Sequence, residues 1–469
     1  MDTIASISTA PGQGGIGIIR ISGPLAFDIA LKIFKSKKIK EKKDIISNTI
    51  NYGHLYDEDK LIDEVMCSFF KAPHTYTRED VVELNVHGGI VVSKKILEVV
   101  LKNGARAAEP GEFTKRAFLN GRIDLSQVEG IASLLSAKSE AEAEISNNLL
   151  AGKLLDIINS SKKEFLNILM HLEVNIDYPE YDNPTLTKKT IYEKLNKEYI
   201  NFLNFEKNFD IGNKIKNGFS LALIGKPNAG KSSLLNLLLD SDRAIVTDIA
   251  GTTRDTIEEH ITIDGIPVRI IDTAGIRTSE DTVEKIGIEK SIKAANNADI
   301  IIALFDLSKD LDEEDKNIIN LCKENLSNKE NNKDIIFVLN KSDLENKFNE
   351  KDFEEYIKLN ANLDILNIFK ISTITKDGIN DLLSNLRSYL NENFYTKDSE
   401  YIIIHERQKN IIKDTIELIE KTIKDIDSVP EDILSLNIQS IVNKLNELTG
   451  ENVREEILNE IFSNFCLGK

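Results

Sequence analysis

Residues 225–232 read Gly-Lys-Pro-Asn-Ala-Gly-Lys-Ser, the spacing GxxxxGK[ST]. An apolar run at 219–224 precedes this loop and a helical pattern at 233–239 follows it, which is the strand–loop–helix context the motif requires. Successive loop amides and the first amides of the helix form a positive concavity for phosphates. Asn228, Ala229, Gly230, Lys231, Ser232 and Ser233 are therefore expected to surround a phosphate chain. Lys231 would bridge the β- and γ-phosphates and act in catalysis, and Ser232 would bind Mg²⁺. A glycine-rich turn without ligand is the bland alternative, and three further motifs in the expected order weigh against it.

Asp272-Thr273-Ala274-Gly275 ends the next apolar strand. Asp272 suits the Mg²⁺ shell, directly or through water, and the Gly275 amide suits a γ-phosphate. Gly251-Thr252-Thr253-Arg254-Asp255 lies between the two motifs. A threonine there can complete the Mg²⁺ shell only when the γ-phosphate is present, which makes a switch, and Thr253 is the candidate. Asn340-Lys341-Ser342-Asp343 ends the strand at 335–339. Asp343 can accept two hydrogen bonds from guanine, whereas adenine would leave the carboxylate unpaired, so GTP rather than ATP is expected. Ser372-Thr373 follows the last strand and fits a final base-contacting loop, with Thr373 where alanine is usual. Ile276 and Arg277 follow Gly275, so no glutamine is at hand to orient water. Glu284, Asp281, Arg254, a cation or a second protomer remain open as replacements.

The order of motifs also divides the chain. Residues 1–120 mix strands (Ile16–Ser22, 81–86) with a helix at Ile90–Lys102. Ser126 and Glu129 have the spacing of a capping box, after which apolar residues recur at helical spacing from Val128 to Ile158. Helical pattern ends near Asp177, resumes to about Asn217, and returns after about Leu390. Between these stretches, apolar runs at 219–224, 268–271, 300–305, 335–339 and 368–371 alternate with helices, the mark of a mainly parallel sheet. Asp264-Gly265 signals a hairpin and hence an antiparallel strand. The expected fold class is α/β plus α: a Ras-like P-loop domain (218–385) inserted in a discontinuous helical domain (121–217 and 386–469), after an α+β N-terminal domain (1–120).

With 59 Lys and Arg against 77 Asp and Glu, the formal net charge is −18, so the average surface will not hold a polyanion. The basic run at 35–43 reads as a solvated loop. Cys67, Cys322 and Cys466 lack metal or disulfide spacing and the six histidines are scattered, which fits a reducing, cytoplasmic compartment. The chain opens without a basic, apolar leader, so an ordinary signal peptide is not expected. Cys466 reads as a packed thiol rather than a nucleophile. His87-Gly88-Gly89 is a strand-to-helix turn or a pocket loop.

Six segments resemble the bacterial tRNA-modification GTPase family MnmE (TrmE): Asp2-Thr3-Ile4, GGIGIIRISG at 14–23, PGEFTKRAFLN at 110–120, GKPNAGKSSLLN at 225–236, TDIAGTTRD at 247–255 and FCLGK at 465–469. The resemblance implies an N-terminal domain similar to tetrahydrofolate-binding domains, dimerising through that domain, with transient pairing of the G domains. It implies that Thr247, Asp248, Ile249, Ala250, Gly251, Thr252 and Thr253 border the nucleotide. By the same resemblance, K⁺ is coordinated by Asn228, Thr247, Ile249 and Thr252, and Glu284 positions the attacking water. Folate-site matches are Arg20, Glu83, Arg122, where lysine is expected in relatives, and Lys469, whose role requires the terminus to fold back towards the N-terminal pocket. The implied reaction places a carboxymethylaminomethyl or aminomethyl group at C5 of the wobble uridine of certain tRNAs. Its carbon comes from a tetrahydrofolate derivative (5-formyl or 5,10-methylene form), and its FAD from a partner, MnmG (GidA), which would also hold most of the tRNA. A regulatory switch in ribosome assembly, or a folate-binding scaffold with vestigial GTPase activity, are the competing readings.

Overall fold

Along β2 (Ile16–Ser22), Gly17, Ile19 and Ile21 are buried while Ile18 and Arg20 are half-buried, the period of a strand with one core face. The computed structural model describes residues 2–137, 139–177, 186–241, 259–271, 292, 294–327, 333–361, 367–394, 405–463, 465 and 468. The chain divides into two compact units, one of Met1–Leu135, Asn147–Glu198 and Asp414–Lys469, the other of Ser136–Ser146 and Tyr199–Lys413.

In the first unit, β1 (Ile4–Ile7), β2, β3 (Phe34–Lys35), β4 (Thr49–Asp57), β5 (Lys60–Phe70), β6 (Val81–His87) and β7 (Arg106–Ala107) form a sheet in the order β3-β4-β5-β6-β2-β1-β7. Its pairs are antiparallel except β1 with β7. Helices α1 (Ala26–Ile33) and α2 (Ile90–Lys102) supply Ile29, Ile33, Ile96 and Val100 to a core shared with Ile19, Ile21, Phe69 and Leu84. The β4–β5 hairpin is not legible in the sequence, because Glu58 takes the left-handed turn position (φ 57°) without glycine or asparagine to mark it. His87 ends β6 and Gly89 opens α2, so His87-Gly88-Gly89 is a strand-to-helix turn, pinned by the His87 amide donating to Asp63 Oδ2 (2.9 Å). In the basic run, the lysines are exposed while Ile39 and Ile45 are buried and anchor the loop.

The helices follow as α3 (Glu112–Leu119), α4 (Leu125–Ser136), α5 (Glu140–Leu150), α6 (Lys153–Asp177) and α7 (Lys188–Asn217). The capping box is not at Ser126 and Glu129. Asp124 Oδ1 accepts the Gln127 amide (2.8 Å) and the Ser126 hydroxyl (2.6 Å), and the Asp124 amide donates to Gln127 Oε1 (3.0 Å). The reciprocal pair is thus Asp124 with Gln127, two residues upstream. Asp124, a strong cap in its own right, sits one residue ahead of the helix, whereas Ser126 already lies within it, fully buried.

Toward the C-terminus come α12 (Glu406–Asp425), α13 (Glu431–Thr449) and α14 (Glu455–Ser463), with α13 packed along α6. Phe462 and Phe465 then enter a cluster with Ala117, Ile123, Leu125 and Val128. Ser8 Oγ donates to the Gly468 carbonyl (3.1 Å), and a Cβ at Gly468 would lie 2.3 Å from the Ile7 carbonyl oxygen, so only glycine fits this approach. The chain therefore returns to the end of β1. Cys466 and Lys469 lie outside the described residues.

The second unit is built on β8 (Phe219–Gly225), β9 (Glu259–Ile263), β10 (Ile266–Ile271), β11 (Ile300–Asp306), β12 (Asp334–Asn340) and β13 (Asn367–Lys370), ordered β13-β12-β11-β8-β10-β9. All pairs are parallel except β9 with β10, joined by Asp264 (φ 50°) and Gly265 (φ 81°) as the Asp-Gly signal predicts. Every residue of β11 is buried, as expected of a parallel strand covered on both faces. The unit's further helices are α8 (Lys231–Ser241), α9 (Glu313–Ser327), α10 (Glu350–Ala361) and α11 (Ile379–Phe394). Phe353 of α10 packs its ring at a steep angle against Phe305 and Phe337, with ring centroids 4.8 and 6.1 Å away. Among the described residues, no helix is long and apolar enough to cross a membrane.

Replacing the revised cap tests the correction. Asp124→Ala is expected to lower unfolding free energy by about 1 kcal/mol, and Asp124→Asn by less. Urea denaturation of the three proteins measures it, and equal stability of Asp124→Ala and the parent would return the cap to Ser126.

Candidate nucleotide and folate sites

The parallel strands β8, β11, β12 and β13 end at one edge of their sheet, where ligands of such folds bind. β8 ends at Gly225 and α8 begins at Lys231, so the intervening loop joins that edge to a helix N-terminus. Asn228 stands in the left-handed region (φ 62°) and is exposed, as is Ser232. Lys231 Nζ donates to the Gly225 and Lys226 carbonyls (2.6 and 2.7 Å). Burial pulls its pKa down to about 8, so at neutral pH it remains a cation held by carbonyl dipoles, poised to gain from an anion.

Asn340, fully buried at the end of β12, connects three loops. Its Nδ2 donates to the Ala229 carbonyl (2.8 Å), and its Oδ1 accepts from the Thr373 amide (3.2 Å). A Cβ at Gly230 (φ 104°) would lie 2.0 Å from Asn340 Nδ2, so this glycine is required both by its backbone angle and by the carboxamide beside it. Ser372, also fully buried, donates to Asp343 Oδ1 (2.6 Å) and accepts the amides of Ile374 (3.2 Å) and Thr375 (3.1 Å). Asp343 is exposed, and this bond aims it while, among the described residues, its other oxygen stays available. Ser372-Thr373 therefore does join the Asn340–Asp343 loop. Thr373 takes part chiefly through its backbone amide, its Oγ1 accepting from Asn340 Nδ2 only at 3.5 Å, so little of the contact depends on the side chain.

Two contributors were not singled out from the sequence, Asp306 and Lys226; the first is the partner of the expected Lys341. Lys341, left-handed at φ 66°, places Nζ 2.5 Å from Asp306 Oδ2. Burial alone would raise the Asp306 pKa, but Lys341 and the bonds from Ser308 outweigh it and hold the carboxyl below its ordinary value. The signal was a carboxylate ending the apolar run at 300–305. The other is Lys226, whose side chain meets Asp312 and Asp315 (both 2.7 Å) and whose position in the loop gave no sequence signal.

β10 ends at Ile271, in parallel register with β8. Asp272, Thr273, Ala274, Gly275, Ile276, Arg277, Asp281 and Glu284 follow it, and they lie outside the described residues, as do Thr247, Asp248, Ile249, Ala250, Gly251, Thr252, Thr253 and Arg254.

The first unit brings three of the four folate-type residues together. Arg20 and Glu83 face each other in the β2–β6 register, and Arg20 Nε donates to Glu83 Oε1 (2.9 Å). Arg20 lies 5.1 Å from the Tyr76 ring centroid and Arg122 4.5 Å from it. The Tyr76 hydroxyl bonds Thr114 Oγ1 (2.9 Å), which fixes the ring that both guanidinium groups meet. Among the described residues, Arg122 Nε is buried without a hydrogen-bond partner, an unmet donor that suits an incoming acceptor. A carboxylate, two cations and an aromatic face suit a flat heterocycle carrying amide donors and an acidic tail. Lys469 is outside the described residues. The buried thiols of Cys67 and Cys322 are unsuited to nucleophilic work, because burial pushes Cys322 up to about 12 and Cys67 higher.

Because Thr373 acts through its amide and Ser372 through its hydroxyl, their alanine variants should differ. Thr373→Ala is expected to keep guanine-nucleotide affinity within about twofold, and Ser372→Ala to weaken it about tenfold. Titration with a fluorescent GDP measures both, and equal losses would contradict this division.

Residues 3–122 match the family described as GTP-binding protein TrmE N-terminus, and residues 125–466 match the MnmE helical domain. The tRNA modification GTPase MnmE of Acetivibrio thermocellus is 45% identical, covering 100% of this chain and 99% of its own length. Those of Thermoanaerobacter pseudethanolicus and Alkaliphilus oremlandii are each 43% identical with the same coverage, 100% and 99%. With its whole length matched at this identity, and with the phosphate loop, the Asn340–Asp343 loop and the Arg20–Glu83–Arg122 cluster in place, the chain belongs to the MnmE family of tRNA modification GTPases.

Proposed function

We propose that this chain hydrolyses GTP to drive modification of the wobble uridine of certain tRNAs. The observation that carries the GTP part is the bond from buried Ser372 to Asp343, on a loop that Asn340 joins to the phosphate loop. A carboxylate aimed in this way accepts from guanine's ring N–H and exocyclic amine. Lys231 then faces the phosphates, where its lowered pKa makes each new anionic contact a gain. Ser232 and Thr253, with Asp272 behind them, would hold Mg²⁺, which when bound neutralises phosphate charge. Asn228, Thr247, Ile249 and Thr252 would hold K⁺, whose charge would stand in for an arginine finger. The oxygen-donor chemistry of these residues fits both hard cations. Glu284 would orient the attacking water, in place of the glutamine that Ile276 excludes.

The second chemistry resides in the N-terminal domain (1–120) with Arg122 and Lys469. Glu83 would accept from pterin N–H groups, and Arg20, Arg122 and Lys469 would hold the acidic tail of a tetrahydrofolate derivative, which when bound supplies a one-carbon unit. The unmet Arg122 Nε and the Tyr76 platform support this reading. In this reading the protein is a homodimer through its N-terminal domain, its G domains pair transiently, and the flavoprotein MnmG contributes FAD and most of the grip on tRNA. The chain's net charge of −18 is consistent with that division of labour. A cytoplasmic setting suits its free, buried thiols.

Reconstitution tests the whole reading. Unmodified tRNA, MnmG, this chain, GTP, a tetrahydrofolate derivative and KCl are expected to yield the aminomethyl-type uridine by nucleoside mass spectrometry. Leaving out MnmG or folate, exchanging KCl for NaCl, or using Lys231→Ala should each abolish or strongly reduce the product, and sedimentation should give a dimer. Undiminished product in any arm removes that component from the account, and a monomeric active species removes the dimer.

A further inference from the structure

We propose that Lys226 is a positioning residue for the nucleotide: a tether through which the first turn of α9 sets the shape of the phosphate loop. The inference rests on the GTP reading and concerns a residue which that reading leaves without a role. Lys226 is the second residue of the loop, yet its side chain is turned away from bulk water and only 13% exposed. Its Nζ donates to Asp312 Oδ2 and Asp315 Oδ2, both at 2.7 Å. The two carboxylates are themselves fixed, because the Asp312 amide donates to Asp315 Oδ2 (3.1 Å) and the Asp315 amide to Asp312 Oδ1 (3.3 Å). This is the reciprocal arrangement of a capping box, so the anchor is the N-terminus of α9 and not a pair of free surface acids.

The other end of Lys226 is at the centre of the loop. Its carbonyl accepts from Lys231 Nζ (2.7 Å) and from the Ala229 amide (3.3 Å). The side-chain tether and the carbonyl belong to one residue, so fixing the first orients the second. Lys231 is thereby held at the position from which it would meet phosphate. Asp315 gives the tether its weight. Its side chain is 4% exposed, and Oδ1 is buried without a partner among the described residues, so Lys226 supplies much of what keeps a desolvated carboxylate in place. Removing the lysine would leave that charge to be relieved by movement of the α9 turn or of the loop, and either movement displaces the Lys226 carbonyl.

The test compares Lys226→Met, Lys226→Arg, Asp315→Asn and the double variant Lys226→Met/Asp315→Asn with the parent, all as the full chain. The readouts are the Kd for fluorescent GDP, the KM and kcat for GTP, and the urea midpoint without nucleotide. Lys226→Met is expected to raise Kd and KM about tenfold while kcat at saturation stays within about threefold, since the contact positions bound and reacting phosphates alike. Lys226→Arg, which can still reach two carboxylates, should stay within about threefold of the parent. The double variant should lose no more affinity than Lys226→Met alone, because both changes break one contact. Parental GDP affinity in Lys226→Met with only a lowered urea midpoint, or multiplied losses in the double variant, would overturn the tether and leave a stabilising ion pair. Should Lys226→Met fail to fold, Asp315→Asn decides: weakened GDP binding supports the tether and parental affinity overturns it. A parent chain that binds no GDP at all would instead sink the GTP reading.

Discussion

The nucleotide edge depends on one buried carboxamide. Asn340 has no exposed surface, and a buried amide is costly unless its donor and acceptor are both met. Here Nδ2 holds the Ala229 carbonyl of the phosphate loop and Oδ1 takes the Thr373 amide of the last loop, while the residue itself leads into Asp343. The bonds that satisfy Asn340 are therefore the bonds that fix three loops from β8, β12 and β13 relative to one another. Gly230 is part of the same constraint, since the carboxamide occupies the space a Cβ would need. A parallel sheet provides the common edge, but the side chains that tie its loops determine whether phosphate-facing and base-facing groups share one frame.

A similar economy applies in the first unit. Arg20 and Glu83 lie 63 residues apart, and the β2–β6 register sets them directly opposite. Tyr76 then serves two guanidinium groups from strands and loops that are distant in sequence. The return of the C-terminal segment is fixed by apolar burial of Phe462 and Phe465 and by the glycine-specific approach of Gly468 to Ile7. These contacts favour one register and one chain path, and the residues of the folate-type cluster come together as a consequence.

What could be read in advance was local or periodic. The buried strands β8, β11 and β12 appeared as near-continuous apolar runs, broken in β8 only by Ser220, within a residue or so of their observed bounds, because parallel strands covered on both faces need no polar alternation. Asp264-Gly265 announced its hairpin through backbone angles that few residues adopt. The β4–β5 hairpin did not, since Glu58 takes a left-handed angle that tertiary pairing imposes. The cap of α4 was misplaced because Asp124, Ser126, Gln127 and Glu129 all carry capping chemistry, and only the helix start decides among them. In the site, the motif residues were legible but their ties were not. Lys226 to Asp315 and Lys341 to Asp306 join residues 89 and 35 apart through crossovers that no spacing rule encodes.

Asp343 is the group proposed to read the guanine base, and exchanging that base for its mirror in hydrogen-bonding terms probes the contact most directly. Xanthine carries a carbonyl where guanine carries its exocyclic amine, so a carboxylate repels it and a carboxamide can donate to it. Competition of GTP and XTP for Asp343→Asn and the parent, read by displacement of a fluorescent nucleotide, is the measurement. The parent should prefer GTP, and Asp343→Asn should lose GTP affinity by about a hundredfold while gaining XTP. An Asp343→Asn variant that still binds GTP as the parent does, and still rejects XTP, would contradict that role for Asp343.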